Sequence, residues 1–283
     1  FARVLQSKGD FSSAQAYLDG LVERFESMNN RPALVDAYLL VAQDAEHAGD
    51  GVAAREAYSN ALEVAKKTGS PQMVARVSLG FCEFAGRRGA AGPATKHCTS
   101  AAQVFDKIGI PGLASRARAQ LAGIAQSSGN LREASELYQE VISTLEDEGT
   151  PGVGSPSTLA AHRANLCQVE LHLKSSGAYM LCREALEAID KIDDSPRQMV
   201  AMTRYAVGIT ADRDDQPSKA IEHLEKAAEL APETDPPNWE LAADAHLHRG
   251  AILARSSKRR NEAIADFRAG LEDAARGSGP NIE

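Results

Sequence analysis

The residue types that most often perform catalysis or bind metal ions are scattered along this chain of 283 residues. Its seven histidines form no HExxH motif, and His246 and His248, two residues apart, would point to different faces of a helix. The spacing also nominates no Ser/His/Asp or Cys/His arrangement for nucleophilic catalysis. We therefore expect a protein that is not an enzyme and that needs no cofactor or metal ion.

A glycine-rich segment, GTPGVGSPST at 149–158, superficially resembles a phosphate-binding loop. A phosphate-binding loop follows a β-strand and usually carries a lysine, and this segment has neither. We interpret residues 149–154 as a longer loop between two structural repeats.

Prolines at nearly constant spacing indicate the elements that position the side chains. They are Pro32, Pro71, Pro111, Pro156, Pro196 and Pro237. Each opens a stretch of helical pattern, because a proline's φ is already helical and its missing N–H has no partner in the first turn. Three follow serines that can cap that turn, Ser70, Ser155 and Ser195. A period of about 40 residues that restarts with a helix signal predicts an α-helical solenoid.

The second half of each unit carries its own landmarks. Gly9, Gly49, Gly89 and Gly129 are each 40 residues apart, as expected of glycines that end helices in the left-handed conformation. Five residues after each glycine comes an alanine, whose small side chain lets two helices pack closely: Ala14, Ala54, Ala94 and Ala134. Each unit is thus predicted to be two antiparallel helices, with about seven pairs in all.

The same landmarks match a known repeat signature: a small residue at position 8, a Gly-Asp or Gly-Asn turn, then Ala, an aromatic or Leu, Ala and Pro. Position 8 falls on Ala2, Ala42, Cys82, Ala122, Leu166, Gly208 and Gly250. In these residues the chain resembles the tetratricopeptide repeat (TPR) family, in a long-period variant similar to kinesin light chain and Pins-type scaffolds. The resemblance implies an all-α protein, a right-handed α-solenoid of about seven antiparallel helix pairs.

This interpretation predicts a single solenoid over residues 1–276, with a tail over 277–283. Its repeats are expected at about 1–30 (truncated), 31–69, 70–109, 110–148, 155–194, 195–235 and 236–276. Because Phe1 falls inside what should be the first helix, we also expect the chain to be a fragment or a processed product.

Charge and hydropathy exclude two classes of partner. The net charge of −8 argues against a general nucleic-acid binder, which needs a basic surface to neutralise phosphates. No apolar run approaches the roughly 20 residues of a membrane-spanning helix, and no signal peptide is visible. We expect an intracellular, cytoplasmic protein, with an organelle as the alternative because the N-terminus is missing.

Four cysteines fall in two pairs, Cys82 with Cys98 and Cys167 with Cys182. The resemblance places each pair near positions 8 and 24 of one repeat, both facing the core. The favoured interpretation is small buried side chains in a reducing compartment. The alternative is two disulfides within repeats, or a redox switch. No CxxC spacing supports metal binding.

In the TPR family the first helices of successive repeats line a groove, through residues at positions 2, 5, 9, 12 and 13. The resemblance implies a peptide-binding groove here formed by Leu39, Gln43, Arg76, Glu83, Arg87, Arg116, Arg163, Tyr205, Arg213 and Leu247. A row of arginines (Arg76, Arg116, Arg163) suits an acidic peptide, since a guanidinium binds carboxylates in a two-pronged geometry. The alternative is that these arginines pair with nearby acids such as Glu83, Glu170 or Asp212.

These observations favour a non-catalytic protein–protein interaction scaffold that holds a peptide or partner segment in its groove, within a complex. Two alternatives remain open at this point. One is a structural subunit of a large assembly that docks through its outer faces, and the other is a ligand-sensing module of a larger regulatory protein.

Overall fold

The computed structural model describes residues 11–147 and 154–278, and every described regular element is helical. In chain order the α-helices are α1 Phe11–Ser27, α2 Arg31–His47, α3 Gly51–Thr68, α4 Pro71–Arg87, α5 Ala91–Lys107, α6 Pro111–Ser127, α7 Leu131–Glu146, α8 Pro156–Leu173, α9 Ala178–Ile189, α10 Arg197–Arg213, α11 Pro217–Leu230, α12 Trp239–Leu253 and α13 Arg260–Gly277. The prediction of an all-α solenoid fold is confirmed. Most of the predicted loop 149–154, and Ala2 and Gly9, lie outside the described residues.

The predicted helix starts are largely those of the structure. Helices α4, α6 and α8 begin at their prolines, and the hydroxyls of Ser70 and Ser155 accept hydrogen bonds from the backbone N–H of Met73 and Thr158 at 3.3 and 3.2 Å. The predicted cap at Ser195 is wrong. Its hydroxyl instead donates to the carbonyls of Ile189 and Ile192, and α10 begins only at Arg197.

Contacts divide the chain into two compact units, residues 1–128 and 129–283. Unit 1 holds α1 to α6 and unit 2 holds α7 to α13. Among the described helices of either unit, none is both long and apolar enough to cross a membrane.

In unit 1 the turns between helices are made by glycines in the left-handed region. Gly49 and Gly89 stand between the two helices of a pair, with φ of 79° and 68°. A second set, Gly69 and Gly109, ends α3 and α5 with φ of 72° and 70° and was not predicted. A side chain is strained at such φ values, so glycine sets the length of each helix.

In the helix pairs that lack cysteines at this contact, a small residue on the first helix meets a large one on the second, as three pairs illustrate. In unit 2 a Cβ on Gly208 would lie 2.7 Å from Leu224 Cγ, and one on Gly250 would lie 2.9 Å from Phe267 Cε1. In unit 1, Ala42 and Tyr58 pack in the same core cluster. Close approach of two helix backbones therefore depends on the small residue at position 8.

Helix starts also correct the register of the fifth repeat. Position 8 is the twelfth residue of its helix in α2, α4, α6, α10 and α12, and in α8 that residue is Cys167 rather than Leu166. Cys167 is fully buried, like Ala42 and Cys82. The spacing of 45 residues between Pro111 and Pro156, longer than the others, had hidden this shift of one residue.

The cysteines are buried, as predicted, but they are not free thiols. Cys82 is bonded to Cys98, joining α4 to α5, and Cys167 is bonded to Cys182, joining α8 to α9. The Cα atoms of the two pairs are 5.1 and 4.6 Å apart. The structure therefore contains the two disulfides within repeats that were the alternative, and the favoured interpretation of free thiols is wrong.

Candidate functional site

Unit 2 contains a cavity of about 410 Å³ on the side of its first helices α8, α10 and α12. Its lining residues come from these three helices and the turn after α8. They are Gln168, Leu171, His172, Lys174, Met202, Tyr205, Ile209, Arg213, Leu241, Asp244 and His248. Most occupy positions 2, 5, 9, 12 and 13 once the register of α8 is corrected. We call this the unit 2 cavity.

The inner wall of the unit 2 cavity is apolar and centred on Tyr205. The Tyr205 ring meets the His248 ring edge-on with centroids 5.7 Å apart, and its hydroxyl lies 3.4 Å from His248 Nδ1. Burial, together with the charge of Asp244, raises the pKa of Tyr205 to about 12, against an opposing effect of Arg213. The phenol therefore stays protonated at neutral pH and can donate a hydrogen bond.

The rim of the unit 2 cavity carries cations with little compensation. Arg213 donates to the backbone carbonyl of Leu171 at 2.9 Å, and no described carboxylate lies within ion-pair distance of Arg213 or Lys174. Asp244 is the acidic residue among the lining residues. Lys174 and Arg213 also line a neighbouring cavity of about 260 Å³, with Ser176, Tyr179 and Thr210 among its other residues.

A repeated contact explains why Arg213 lacks an acid. Arg87 and Arg255 occupy the same position as Arg213 in their repeats, and each reaches back to an acidic residue at position 12 of the preceding repeat. Those acids are Glu46 and Asp212. The equivalent residue before Arg213 is Leu171, which offers only its backbone carbonyl. The guanidinium thus keeps most of its charge available to a ligand.

The corresponding face of unit 1 is different, because its arginines are paired. Arg76 bonds to Asp36, and Arg87 bonds to Glu46. Arg116 makes a bidentate pair with Glu83 at 2.5 and 2.9 Å. The alternative left open by the sequence was that these arginines pair with nearby acidic residues. In unit 1 they do so.

The remaining predicted groove residues divide between surface and core. Gln43 is exposed on α2, whereas Leu39 is partly buried against the core of unit 1. Leu247 leans toward α13, where its Cγ would lie 3.1 Å from a Cβ on Gly270. Of the predicted set, Tyr205 and Arg213 are the residues that line the unit 2 cavity.

Arg163 does not continue the row of Arg76 and Arg116. With the corrected register it is the eighth residue of its helix, like Arg118 and Arg204. Each of these three bonds to an acid at or just after the end of the preceding helix, Asp106, Glu146 or Asp190. Arg163 therefore ties α8 to α7, and the shift of one residue is the reason for its different direction.

The sequence missed several lining residues. Lys174 follows α8 in the left-handed conformation, with φ of 55°, which points the chain into the turn before α9. His172 and His248 lie at the cavity and hydrogen-bond through Nδ1 to the carbonyls of Gln168 and Asp244. The sequence does show that residue 171 is a leucine where other repeats carry an acid at position 12. This difference can be recognised only once the register of α8 is corrected.

The other buried polar residues of unit 2 form a separate cluster between α12 and α13. Asp266 is almost fully buried and accepts two hydrogen bonds from Arg249, at 2.7 and 2.8 Å. His246 lies 3.3 Å from Asp266 and 3.7 Å from Asp273. As expected, His246 and His248 point in different directions. No metal-binding group of His, Cys, Asp or Glu occurs among the described residues.

Comparisons with solved structures identify the fold. A STAND signal-transduction ATPase with a tetratricopeptide repeat sensor, from Pyrococcus horikoshii, matches with a TM-score of 0.70 and 15% identity, over 98% of this chain and 42% of that one. The C-terminal part of a TPR repeat-containing protein from Cytophaga hutchinsonii matches with a TM-score of 0.60 and 13% identity, over 99% and 95%. The chain has a TPR-like fold.

A third match is a Rap protein complexed with Competence and Sporulation Factor, with a TM-score of 0.54 and 11% identity, over 94% of this chain and 78% of that one. No family model matches the sequence, and no curated protein matches it either. At these identities the likeness concerns the TPR-like fold alone.

Proposed function

We propose that this TPR-like chain is a non-catalytic interaction scaffold that binds a short segment of a partner protein in the unit 2 cavity. The observation that carries the proposal is Arg213, a guanidinium at the edge of an apolar cavity that has no carboxylate partner in the described part of the chain. The ligand that fits is a peptide with an acidic residue next to a large apolar one. The apolar side chain would contact Met202, Tyr205 and Ile209, and the carboxylate would contact Arg213 and Lys174.

The structural neighbours support a partner of this kind. The Rap protein with the same fold was solved in complex with Competence and Sporulation Factor, so a TPR-like solenoid of similar length binds a separate factor. The net charge of −8 makes nucleic acid a poor candidate, because a basic surface is needed to neutralise phosphates. In a protein of negative net charge, cations at one place on the surface attract an acidic ligand to that place, although the protein as a whole repels it.

One alternative has its own supporting observation. The Pyrococcus horikoshii ATPase carries a tetratricopeptide repeat sensor, and almost all of this chain overlays on part of that protein. A ligand-sensing module of a larger regulatory protein is therefore the second candidate, and it would use the same cavity. A structural subunit that docks through its outer faces stays a prediction without a specific contact in its favour.

The test is a peptide screen against the intact chain and two matched variants. An array of peptides that pair Asp or Glu with Leu or Phe is compared with the same array carrying Asn or Gln. We expect binders in the acidic array that are lost with Arg213→Gln and kept with Arg116→Gln. Binders that are equally strong in the amide array, or that depend on Arg116, would contradict the proposal.

A further inference from the structure

The two disulfides occupy a contact that other repeats in the described part of the chain fill in a different way. At the contact between positions 8 and 24, the neighbouring pairs combine a small and a large side chain, as in Gly208 with Leu224 and Gly250 with Phe267. The cysteine pairs combine two small side chains and join them covalently. All four cysteines are fully buried.

This substitution changes what holds the helix pair together. A tyrosine, phenylalanine or leucine at position 24 makes many dispersion contacts, and these persist whatever the redox conditions. Two thiols fill less volume, so a reduced pair would leave poorly packed space between the two helices. The third and fifth repeats therefore depend on a covalent bond where the other repeats depend on packing.

The Cys167–Cys182 bond also lies directly behind the unit 2 cavity. Gln168 and Leu171, which line the cavity, follow Cys167 within about one turn of α8. The Gln168 side chain donates to the Met202 carbonyl at 3.0 Å, and Arg213 donates to the Leu171 carbonyl. Any movement of α8 would therefore displace both the apolar wall and the residue that holds Arg213.

The second helix of this pair is the easier one to release. Helix α9 has only 12 residues, and its N-cap residue Gly177 makes no side-chain capping bond. Its buried face, Tyr179, Cys182 and Leu186, packs with Cys167 and Val207 in one core cluster. Without the disulfide, this packing alone would fix α9 against α8.

We propose that Cys167–Cys182 is a redox latch that controls the shape of the unit 2 cavity. In the oxidised state the bond holds α8 against α9 and the cavity is formed. A dithiol reductant opens the latch: it supplies two electrons and two protons, the S–S bond breaks, both cysteines become thiols, and the dithiol becomes a disulfide. Because the sulfurs are buried, attack requires opening of α9, so reduction is slow in the folded protein.

The latch is tested by hydrogen exchange with mass spectrometry, using dithiothreitol as the probe. In the wild-type chain we expect complete reduction to speed amide exchange in α8 and α9 by at least tenfold, with little change in α12 and α13. Equal exchange in α8 and α9 before and after complete reduction, verified by thiol counting, would overturn the proposal. So would four free thiols in protein purified without reductant.

Two matched variants separate the latch from general effects of reductant. Cys167→Gly with Cys182→Leu copies the Gly208–Leu224 pair, and Cys82→Ala with Cys98→Tyr copies the Ala42–Tyr58 pair. The first variant should lose the dithiothreitol response in α8 and α9 but keep it in α4 and α5. The second should show the reverse. A response of α8 and α9 that persists in the first variant contradicts the latch.

Control of ligand binding rests on the proposed function and needs its own readout. A peptide from the acidic array that binds the oxidised chain should bind at least tenfold more weakly after reduction. If α8 and α9 loosen and the peptide still binds with unchanged affinity, the latch stands and the unit 2 cavity is not the binding site. If exchange does not change, the latch fails whatever the peptide does.

Discussion

The first helices of unit 1 and of unit 2 present arginines at equivalent repeat positions, but Arg213 of unit 2 differs from the unit 1 arginines, and from Arg255 in its own unit, in its partner. In unit 1, Arg76, Arg87 and Arg116 are bonded to carboxylates from neighbouring first helices. In unit 2, Arg213 finds a single hydrogen-bond acceptor among the described residues, the Leu171 carbonyl, beside an apolar cavity. On the proposed function, an arginine of this row is available to a ligand only where the preceding repeat lacks the pairing acid.

The energetics of the two regions follow from this difference. The arginines of these unit 1 pairs are exposed, with Arg116 at 60% side-chain exposure, although its partner Glu83 is only 13% exposed, and pairs at the surface contribute about 0–1 kcal/mol each. They contribute modestly to stability and neutralise the surface. The cation at the unit 2 cavity keeps its hydrogen-bonding capacity for a ligand, where a charge-assisted bond is worth about 1.5–3 kcal/mol.

The largest expected effect is charge reversal at the cavity. Arg213→Glu removes the guanidinium and places a like charge against an acidic ligand, so we expect at least a hundredfold loss of affinity for an acidic, apolar peptide. Arg116→Glu, the matched control in unit 1, should change affinity by less than twofold. Isothermal titration of both variants measures this, and equal losses would remove the distinction between the two regions.

A second variant should make unit 2 resemble unit 1. Leu171→Glu restores an acid at the position occupied by Glu46 and Asp212 elsewhere, so it should pair with Arg213 and lower affinity for an acidic peptide by about tenfold. Leu171→Gln has a similar shape without the charge and serves as the control. If both variants bind the peptide equally well, pairing of Arg213 is not what limits binding.

The two units should also differ in their response to acid. Burial lowers the pKa of His162 and His223 in unit 2 and of His97 in unit 1, with nearby Arg204 and Lys96 adding to the effect for His223 and His97. A lowered pKa in the folded protein means that the unfolded chain binds a proton at a higher pH. The neutral, buried histidines therefore favour the folded state fully above about pH 6.5, and this contribution to the free energy of unfolding is lost as the pH falls.

We therefore expect the protection factors for amide exchange, which correct for the slower intrinsic exchange in acid, to fall more at pH 5 in α8 and α11, which carry His162 and His223, than in α2 and α3. The fall should shrink in a His162→Gln, His223→Gln variant compared at the same pH. An acid response that is unchanged in that variant would assign the effect to other groups.

The smallest expected effect is at the exposed pair of unit 1. Arg116→Gln should lower the free energy of unfolding by about 1 kcal/mol, because Arg116 is 60% exposed while Glu83, at 13% exposure, is solvated only in part. Denaturant unfolding of wild type, Arg116→Gln, Glu83→Gln and the double variant measures the coupling. A coupling of several kcal/mol would mean that the unit 1 arginines are structural anchors rather than a neutralised surface.

Much of the fold was predictable from the sequence, because prolines at helix starts and glycines at helix ends are local signals. Tyr205 and Arg213 were predicted as groove residues and both line the unit 2 cavity, because the repeat register of α10 was correct although the helix begins only at Arg197. Arg163 was given a register that is wrong by one residue, because the sequence spacing before α8 is longer than in the other repeats. A shift of one residue rotates a side chain by about 100° around a helix.

The parts that were not predictable depend on contacts between helices. Whether Arg116 meets Glu83 or a ligand is decided by two side chains 33 residues apart, and no local pattern reports it. The disulfides were left as the less favoured alternative because spacing alone does not distinguish two buried thiols from a bonded pair. Lys174 was missed because its position depends on the backbone conformation of one turn.

The most direct test of the account is a hydrogen-exchange footprint of the oxidised chain with and without an acidic, apolar peptide from the array. We predict protection in residues 168–174, 202–213 and 241–248, which line the unit 2 cavity, and no change in residues 36–47 and 76–87 of unit 1. Protection confined to unit 1 would contradict the central claim that the uncompensated cation, rather than the row of arginines, marks the binding site.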